Sequence, residues 1–153
     1  MKTIQSFRVN HDTLTPGLYT SRVDGDVTTY DIRFVHPNRP PFLEIAAMHT
    51  MEHLFATYVR NSAFEDHIIY FGPMGCRTGF YLLVAGQWSS AEILPLVRDC
   101  FRFLADFSGE VPGASAKDCG NYLDMNLPMA NYWGRKYSAL LENADDSRFV
   151  YPE

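Results

Sequence analysis

Between residues 17 and 34 the chain reads GLYTSRVDGDVTTYDIRF, with apolar and polar side chains alternating on both sides of Asp24-Gly25. Period-two alternation gives a pleated strand one apolar face, and Asp-Gly is turn chemistry, so the stretch predicts a β-hairpin. The loop HPNRPP follows, with prolines at 37, 40 and 41. Proline has no amide hydrogen to donate, so these residues end the hairpin and a helical pattern takes over, predicted from Leu43 to Asn61. HIIYFGPM and GFYLLVAG are short β-branched and aromatic runs either side of GCRTG. They predict a second strand pair with Cys76 in its turn. The stretch from Ser89 to Phe107 carries apolar residues at 93, 94, 97, 100, 101 and 104 behind a Ser89/Glu92 capping-box pair. That is an amphipathic helix, with Pro95 as a potential kink. SGEVPGASAKDCGNY is broken by glycine and proline and reads as loop, with a short helical turn near Cys119. A last helix follows Asn126, with Pro128 tolerated in its first turn and Gly134 weakening its middle. The order of elements predicts an α+β fold, an antiparallel β-sheet packed on one side by helices, in one small domain spanning residues 1–153.

Composition narrows the partners. At 46% hydrophobic and 20% charged the chain is an ordinary globular sequence, and 153 residues suffice for one core. No apolar run reaches the roughly 18 residues needed to span a membrane. The net charge is −5 with Lys and Arg scattered, which argues against a nucleic-acid footprint. A small molecule or a second copy of the chain is the expected partner. MKTIQSFRVNHD lacks the apolar stretch of a secretion signal, so a cytoplasmic location is expected, where the three cysteines stay reduced.

The chemistry concentrates in AAMHTMEHLFA, residues 46–56, where His49, Glu52 and His53 interrupt a greasy helix. On a helix these three fall within an arc of about 100°, and side chains four apart sit about 5–6 Å from one another. Two imidazoles on one face can grip one divalent ion at about 2.0–2.1 Å. So few other polar residues surround them that the helix is expected to be buried on most sides, where the histidine pair with its acid needs a partner to offset desolvation. For a lone histidine, a core residue bonded to backbone is the better reading. The trio is less ordinary, since a chance H-x-x-E-H in such a chain is on the order of one in a hundred. A third ligand has to come from elsewhere. Cys100 lies on an apolar helix face and reads as a small hydrophobe. Cys76 and Cys119 sit in glycine-flanked loops that can present a thiol, and spacing leaves open which binds metal and which does chemistry.

Several segments together, SFRVNHD at 6–12, DIRF and PN within 31–38, HTMEH at 49–53, GPMGCRTGFY at 72–81, SAEI at 90–93 and CG at 119–120, resemble the S-ribosylhomocysteine lyase family, in order over nearly the whole chain. The resemblance implies a lyase that cleaves S-ribosylhomocysteine to homocysteine and 4,5-dihydroxy-2,3-pentanedione, the autoinducer-2 precursor. It implies one ferrous ion per chain, replaceable by zinc or cobalt, on His49, His53 and Cys119. Cys76 and Glu52 are then the acid/base residues, and Ser6, His11 and Arg33 line the substrate site. It further implies a homodimer with shared active sites. The chemistry is coherent with those roles: moving a carbonyl from C1 to C3 of the sugar makes the neighbouring proton acidic, and the β-sulfur can then leave. Each enolisation needs a Lewis acid at oxygen and a base at carbon. A free thiol is only about 3% thiolate at pH 7, so the cation and Arg77 are expected to assist Cys76. One position departs from the family pattern: Tyr70 stands six residues before Cys76, where an acidic residue is common.

Other readings keep the same motif. Metallopeptidases of the inverted H-x-x-E-H type also pair two histidines with a glutamate, but are longer, take a downstream glutamate as third ligand, and have no role for PMGCRTGFY. A non-catalytic metal module requires a closed four-ligand site. His36 and His67 read as surface histidines, while Arg33 as a hairpin charge and Ser6 as a helix cap are the plain alternatives to substrate contacts.

Overall fold

Leu18, Tyr30, Ile32, Phe71, Phe80 and Leu82 point the same way off four strands, and the helices cover that apolar face. The computed structural model describes residues 1–153. Its strands are β1 (Gly17–Asp24), β2 (Val27–Arg33), β3 (Ile68–Pro73) and β4 (Gly79–Ala85), in the order β1-β2-β4-β3 with every pairing antiparallel. Tyr30 lies opposite Leu82 and Leu82 opposite Phe71, so one apolar row crosses three strands. The other face carries Tyr19, Asp31, Tyr81 and Gly72 in one row. Both predicted hairpins form. In the first, Asp24 pairs with Val27, so the turn is Gly25-Asp26, one residue later than the sequence suggests. Gly25 has φ 61°, a conformation a side chain disfavours, and this puts the glycine first in the turn.

Three helices pack on the sheet: α1 (Ile45–Val59), α2 (Ser90–Asp106) and α3 (Leu127–Glu142). α1 is two residues shorter at each end than its periodicity predicts, for a tertiary reason at its start. The Leu43 amide donates to the Arg77 carbonyl at 3.0 Å, which ties that residue to the β3–β4 loop. Glu44 caps no amide and instead accepts the Trp133 indole N–H at 2.8 Å. α1 buries Ala47, Met48, Met51, Leu54, Phe55 and Val59. His49, Glu52, His53 and Ala56 are only half-buried, which corrects the expectation of a helix enclosed on most sides. That stripe faces an irregular segment rather than another helix.

α2 starts with the predicted capping box: the Ser89 hydroxyl accepts from the Glu92 amide while Glu92 accepts from Ser89. The helix runs through Pro95, which sits on its exposed side. There the Ala91 carbonyl that proline leaves unpaired can bond to water, so the residue is tolerated. At α3, Asn126 Oδ1 accepts from the Met129 amide at 3.1 Å, with Pro128 in the first turn as expected. Gly134 does something the sequence reading missed. A Cβ there would meet the Ala105 backbone nitrogen at 2.9 Å, so the glycine lets α3 press onto α2. No helix is long and apolar enough to cross a membrane.

Candidate metal centre

His49 and His53 lie one turn apart on α1, with their Nε2 atoms 3.1 Å from each other. The Cys119 sulfur lies 3.3 Å from His49 Nε2, and all three donor atoms fall within 4.8 Å of one another. The far side of each ring is pinned by backbone. His49 Nδ1 is 2.9 Å from the Asp124 carbonyl oxygen, and His53 Nδ1 is 2.8 Å from that of Pro112. A carbonyl only accepts, so each Nδ1 carries the hydrogen and each neutral ring turns a bare Nε2 lone pair inward. Lone pairs aimed at one point repel unless a cation lies among them. In a tetrahedral site with bonds of about 2.0–2.1 Å, two nitrogens stand about 3.3 Å apart, close to what the two rings show. The donor set therefore fits one divalent metal, with three protein ligands and room for a fourth.

Cys119 reaches this point because residues 110–126 are laid along α1. Its amide donates to the Ser115 carbonyl at 2.9 Å, closing the short turn the sequence predicts near it. The Asn126 amide donates to the Thr50 hydroxyl at 2.8 Å, and Thr50 donates in turn to the Ala46 carbonyl. Thr50 thus anchors the end of the segment to the helix, although only its place in a run of apolar residues hints at this.

Glu52 stands beside the trio, half-buried and without an intramolecular hydrogen bond or ion pair to its carboxylate. With His49 it separates two adjoining hollows. One is lined by His53, Pro112 and Cys119. The other is lined by Met48, Pro73, Met74, Gly75 and Arg77, the flank of the Cys76 turn. Arg77 takes a left-handed backbone, φ 60°, which makes the turn tight.

Cys76 is exposed and belongs to a second cluster. Its sulfur is 3.1 Å from the Thr78 hydroxyl, which accepts from Arg33 Nη1 at 2.6 Å. Arg33 forks onto Asp31, Nε to Oδ1 at 3.1 Å and Nη2 to Oδ2 at 2.6 Å. Both partners are buried, Arg33 at 3% and Asp31 at 1% exposed, so Arg33 is no loose hairpin charge. Burial alone would lower the Arg33 pKa, but the Asp31 carboxylate more than offsets it and the value is raised. The Cys100 thiol is buried and pushed well above its usual pKa by desolvation, in keeping with a core role.

The chain gathers His49, His53, Cys119 and Glu52, gathers Cys76 with Arg33, and leaves Ser6 and His11 apart from both groups. Ser6 sits inside a 3-10 turn, Gln5–Phe7, and so is not a helix cap. His11 Nδ1 lies 2.9 Å from the Val9 carbonyl, and nearby Thr13 donates to the Glu153 carbonyl. His36 and His67 are exposed. Tyr70 is half-exposed, and its ring covers Gly72, where a Cβ would collide with the phenol. Three residues of the second cluster escaped the sequence reading. Asp31 had a signal, since it lies two positions from Arg33 on the same face of β2, whereas Thr78 lies with Cys76 in the β3–β4 turn, where spacing gives no direction. Tyr151, which bonds to Asp31, had none.

The fold and the site define a class: a small α+β protein with an open His-His-Cys set able to hold a metal. The profile of the family described as S-Ribosylhomocysteinase (LuxS) matches residues 4–147. The S-ribosylhomocysteine lyase of Clostridium acetobutylicum is 59% identical over 158 aligned positions, covering 100% of both chains. Those of Finegoldia magna and Borreliella burgdorferi are 48% and 46% identical, over 100% and 99% of this chain and all of their own length. The chain belongs to the S-ribosylhomocysteinase family and is an enzyme, a lyase.

Proposed function

We propose that the protein cleaves S-ribosylhomocysteine to homocysteine and 4,5-dihydroxy-2,3-pentanedione, by two carbonyl migrations followed by β-elimination. The observation that carries the reading is the convergence of two imidazole Nε2 atoms and the Cys119 sulfur, with an unpaired Glu52 beside them, in a chain of this family. His49, His53 and Cys119 would hold one divalent ion, ferrous iron by preference, with zinc or cobalt as substitutes. When bound, such an ion supplies Lewis acidity toward a sugar carbonyl oxygen.

The chain's own residues move the protons. Cys76, exposed and with no backbone bond to its sulfur, takes the carbon-bound proton at each migration and returns it to the neighbouring carbon. Glu52, a free carboxylate on the same helix face as the two histidines, carries protons between the hydroxyl and carbonyl oxygens. Once the carbonyl stands at C3, loss of the C4 proton expels the sulfur from C5 as homocysteine. Arg33, Ser6 and His11 bind and orient the substrate.

Ser6 and His11 belong to the N-terminal segment that leads into β1, an edge strand, while α1 packs against β3 at the opposite edge. Three strand spacings, roughly 14 Å, separate the edges, so these residues serve the metal site of a second copy. We therefore place the active sites at a homodimer interface, each drawing on both chains. The exposed Ile4, Phe7, Ile69 and Tyr70 supply apolar surface for that contact. A cytoplasmic location keeps the Cys76 and Cys119 thiols reduced.

The test is anaerobic purification with metal analysis, then incubation with S-ribosylhomocysteine and a thiol assay. Homocysteine release at stoichiometric metal supports the proposal. A metal-loaded protein that releases no thiol from this substrate refutes it.

A further inference from the structure

The hydrogen-bond chain that ends at Cys76 begins far from it in sequence. Tyr151 stacks on Tyr19 with ring centroids 4.8 Å apart, and its hydroxyl donates to Asp31 Oδ2 at 2.9 Å. The same oxygen takes Arg33 Nη2 at 2.6 Å, while Arg33 Nη1 reaches Thr78 and Thr78 reaches the Cys76 sulfur. The direction of the Arg33 link is fixed, and it leaves the threonine free to donate to the sulfur. Arginine has donors only, so Thr78 accepts from it, and the threonine's one hydrogen stays available to the sulfur 3.1 Å away. A sulfur that accepts is better served as thiolate than as thiol.

We infer that Tyr151 is a positioning residue for the reaction, acting through Asp31, Arg33 and Thr78 to hold the Cys76 sulfur in a hydrogen-bond-accepting state. The inference rests on the acid/base role proposed above for Cys76. Asp31 is buried against its guanidinium, and an unassisted carboxylate there would cancel most of the positive field of Arg33. The phenol hydrogen bond takes up part of that negative charge and fixes the carboxylate plane, so the Arg33 fork stays aligned with Nη1 aimed at Thr78. Burial, and then the Asp31 charge, push the Tyr151 pKa up, which keeps the phenol a donor at any working pH. Tyr19 does not compete, because its own hydroxyl donates to the Thr15 carbonyl at 2.9 Å. The other groups electrostatically linked to Cys76 are Arg33 and Tyr81, with Arg77 adjacent in the chain.

Tyr151→Phe keeps the stacked ring and removes one hydroxyl. On the metal-loaded protein, the rate of Cys76 alkylation by iodoacetamide is followed against pH at the level of the labelled peptide, since only thiolate reacts. The profile is expected to move to higher pH, and kcat to fall about threefold to tenfold with KM little changed, the scale of one hydrogen bond to a charged network. Thr78→Val cuts the relay at its other end and should move the profile the same way, after which adding Tyr151→Phe moves it no further. A Tyr151→Phe protein that melts lower but alkylates with the wild-type profile would overturn the inference and leave the tyrosine a packing residue. Turnover surviving in Cys76→Ala would instead remove the acid/base role of Cys76, while the alkylation profiles still decide whether the relay operates.

Discussion

Cys76 and Cys119 occupy opposite settings: one thiol is exposed and bonded to a hydroxyl, the other is half-buried 3.3 Å from an imidazole nitrogen. Composition and spacing left the two interchangeable. The distinction depends on residues 110–126 folding back onto α1, which brings Cys119 to a histidine 70 positions earlier. On that geometry Cys119→Ala should lose metal and turnover together, since two imidazoles alone hold a divalent ion poorly. Cys76→Ala should bind metal at wild-type stoichiometry and turn over at least about 10²-fold slower, the usual loss for an acid/base residue. Metal analysis of the two purified variants checks this, and a reversed outcome would exchange the two roles. Arg33 was legible only by resemblance, because an arginine in a strand does not reveal whether it faces water or a buried carboxylate.

At the scale of elements, period and punctuation carried most of the information. Both hairpins, the Ser89 capping box and the Asn126 start of α3 are local features, set by side chains within a few residues of one another. The errors came where one element touches another. Leu43 gives its amide to Arg77 and leaves the helix. Gly134 reads locally as a weak point, since glycine costs a helix about 1 kcal/mol relative to alanine. Its contact reverses the sign of the expected effect. Gly134→Ala would set a methyl 2.9 Å from the Ala105 nitrogen, and backbone cannot yield as a side-chain end can. Overpacking of this kind costs about 1–3 kcal/mol, more than the propensity gained. The variant should therefore unfold at lower urea concentration than the parent, and a more stable variant would show that α2 and α3 can part without cost.

At the scale of the whole molecule, one chain brings Cys119 to His49 and His53 of α1, while His11 bonds to Val9 in the N-terminal segment, apart from them. If active sites are shared across a two-fold axis, His11→Ala and His53→Ala chains, each nearly inactive alone, should regain activity when unfolded and refolded together. A mixed dimer would collect both defects in one site and leave the other intact. Recovery approaching a quarter of the parent activity is expected for random pairing at equal ratio, roughly half of the dimers having one good site of two. Mixing that restores nothing, although heterodimers form, would place each site within a single chain.

The sequence by itself determined the elements, their order, the helix face bearing His49, Glu52 and His53, and, through the ordered motifs, the family. These follow from spacing along one chain, where a helix or strand converts position directly into direction. Tertiary structure supplied the geometry that brings Cys119, expected at the histidines only through the resemblance, to 3.3 Å from one of them, and it alone decided that Asp124 and Pro112 orient their rings and that Tyr151 reaches Asp31 across 120 positions. Those contacts close long loops, and sequence spacing carries no geometry across a loop. Two of them use backbone carbonyls, which every residue possesses and no side-chain pattern can announce.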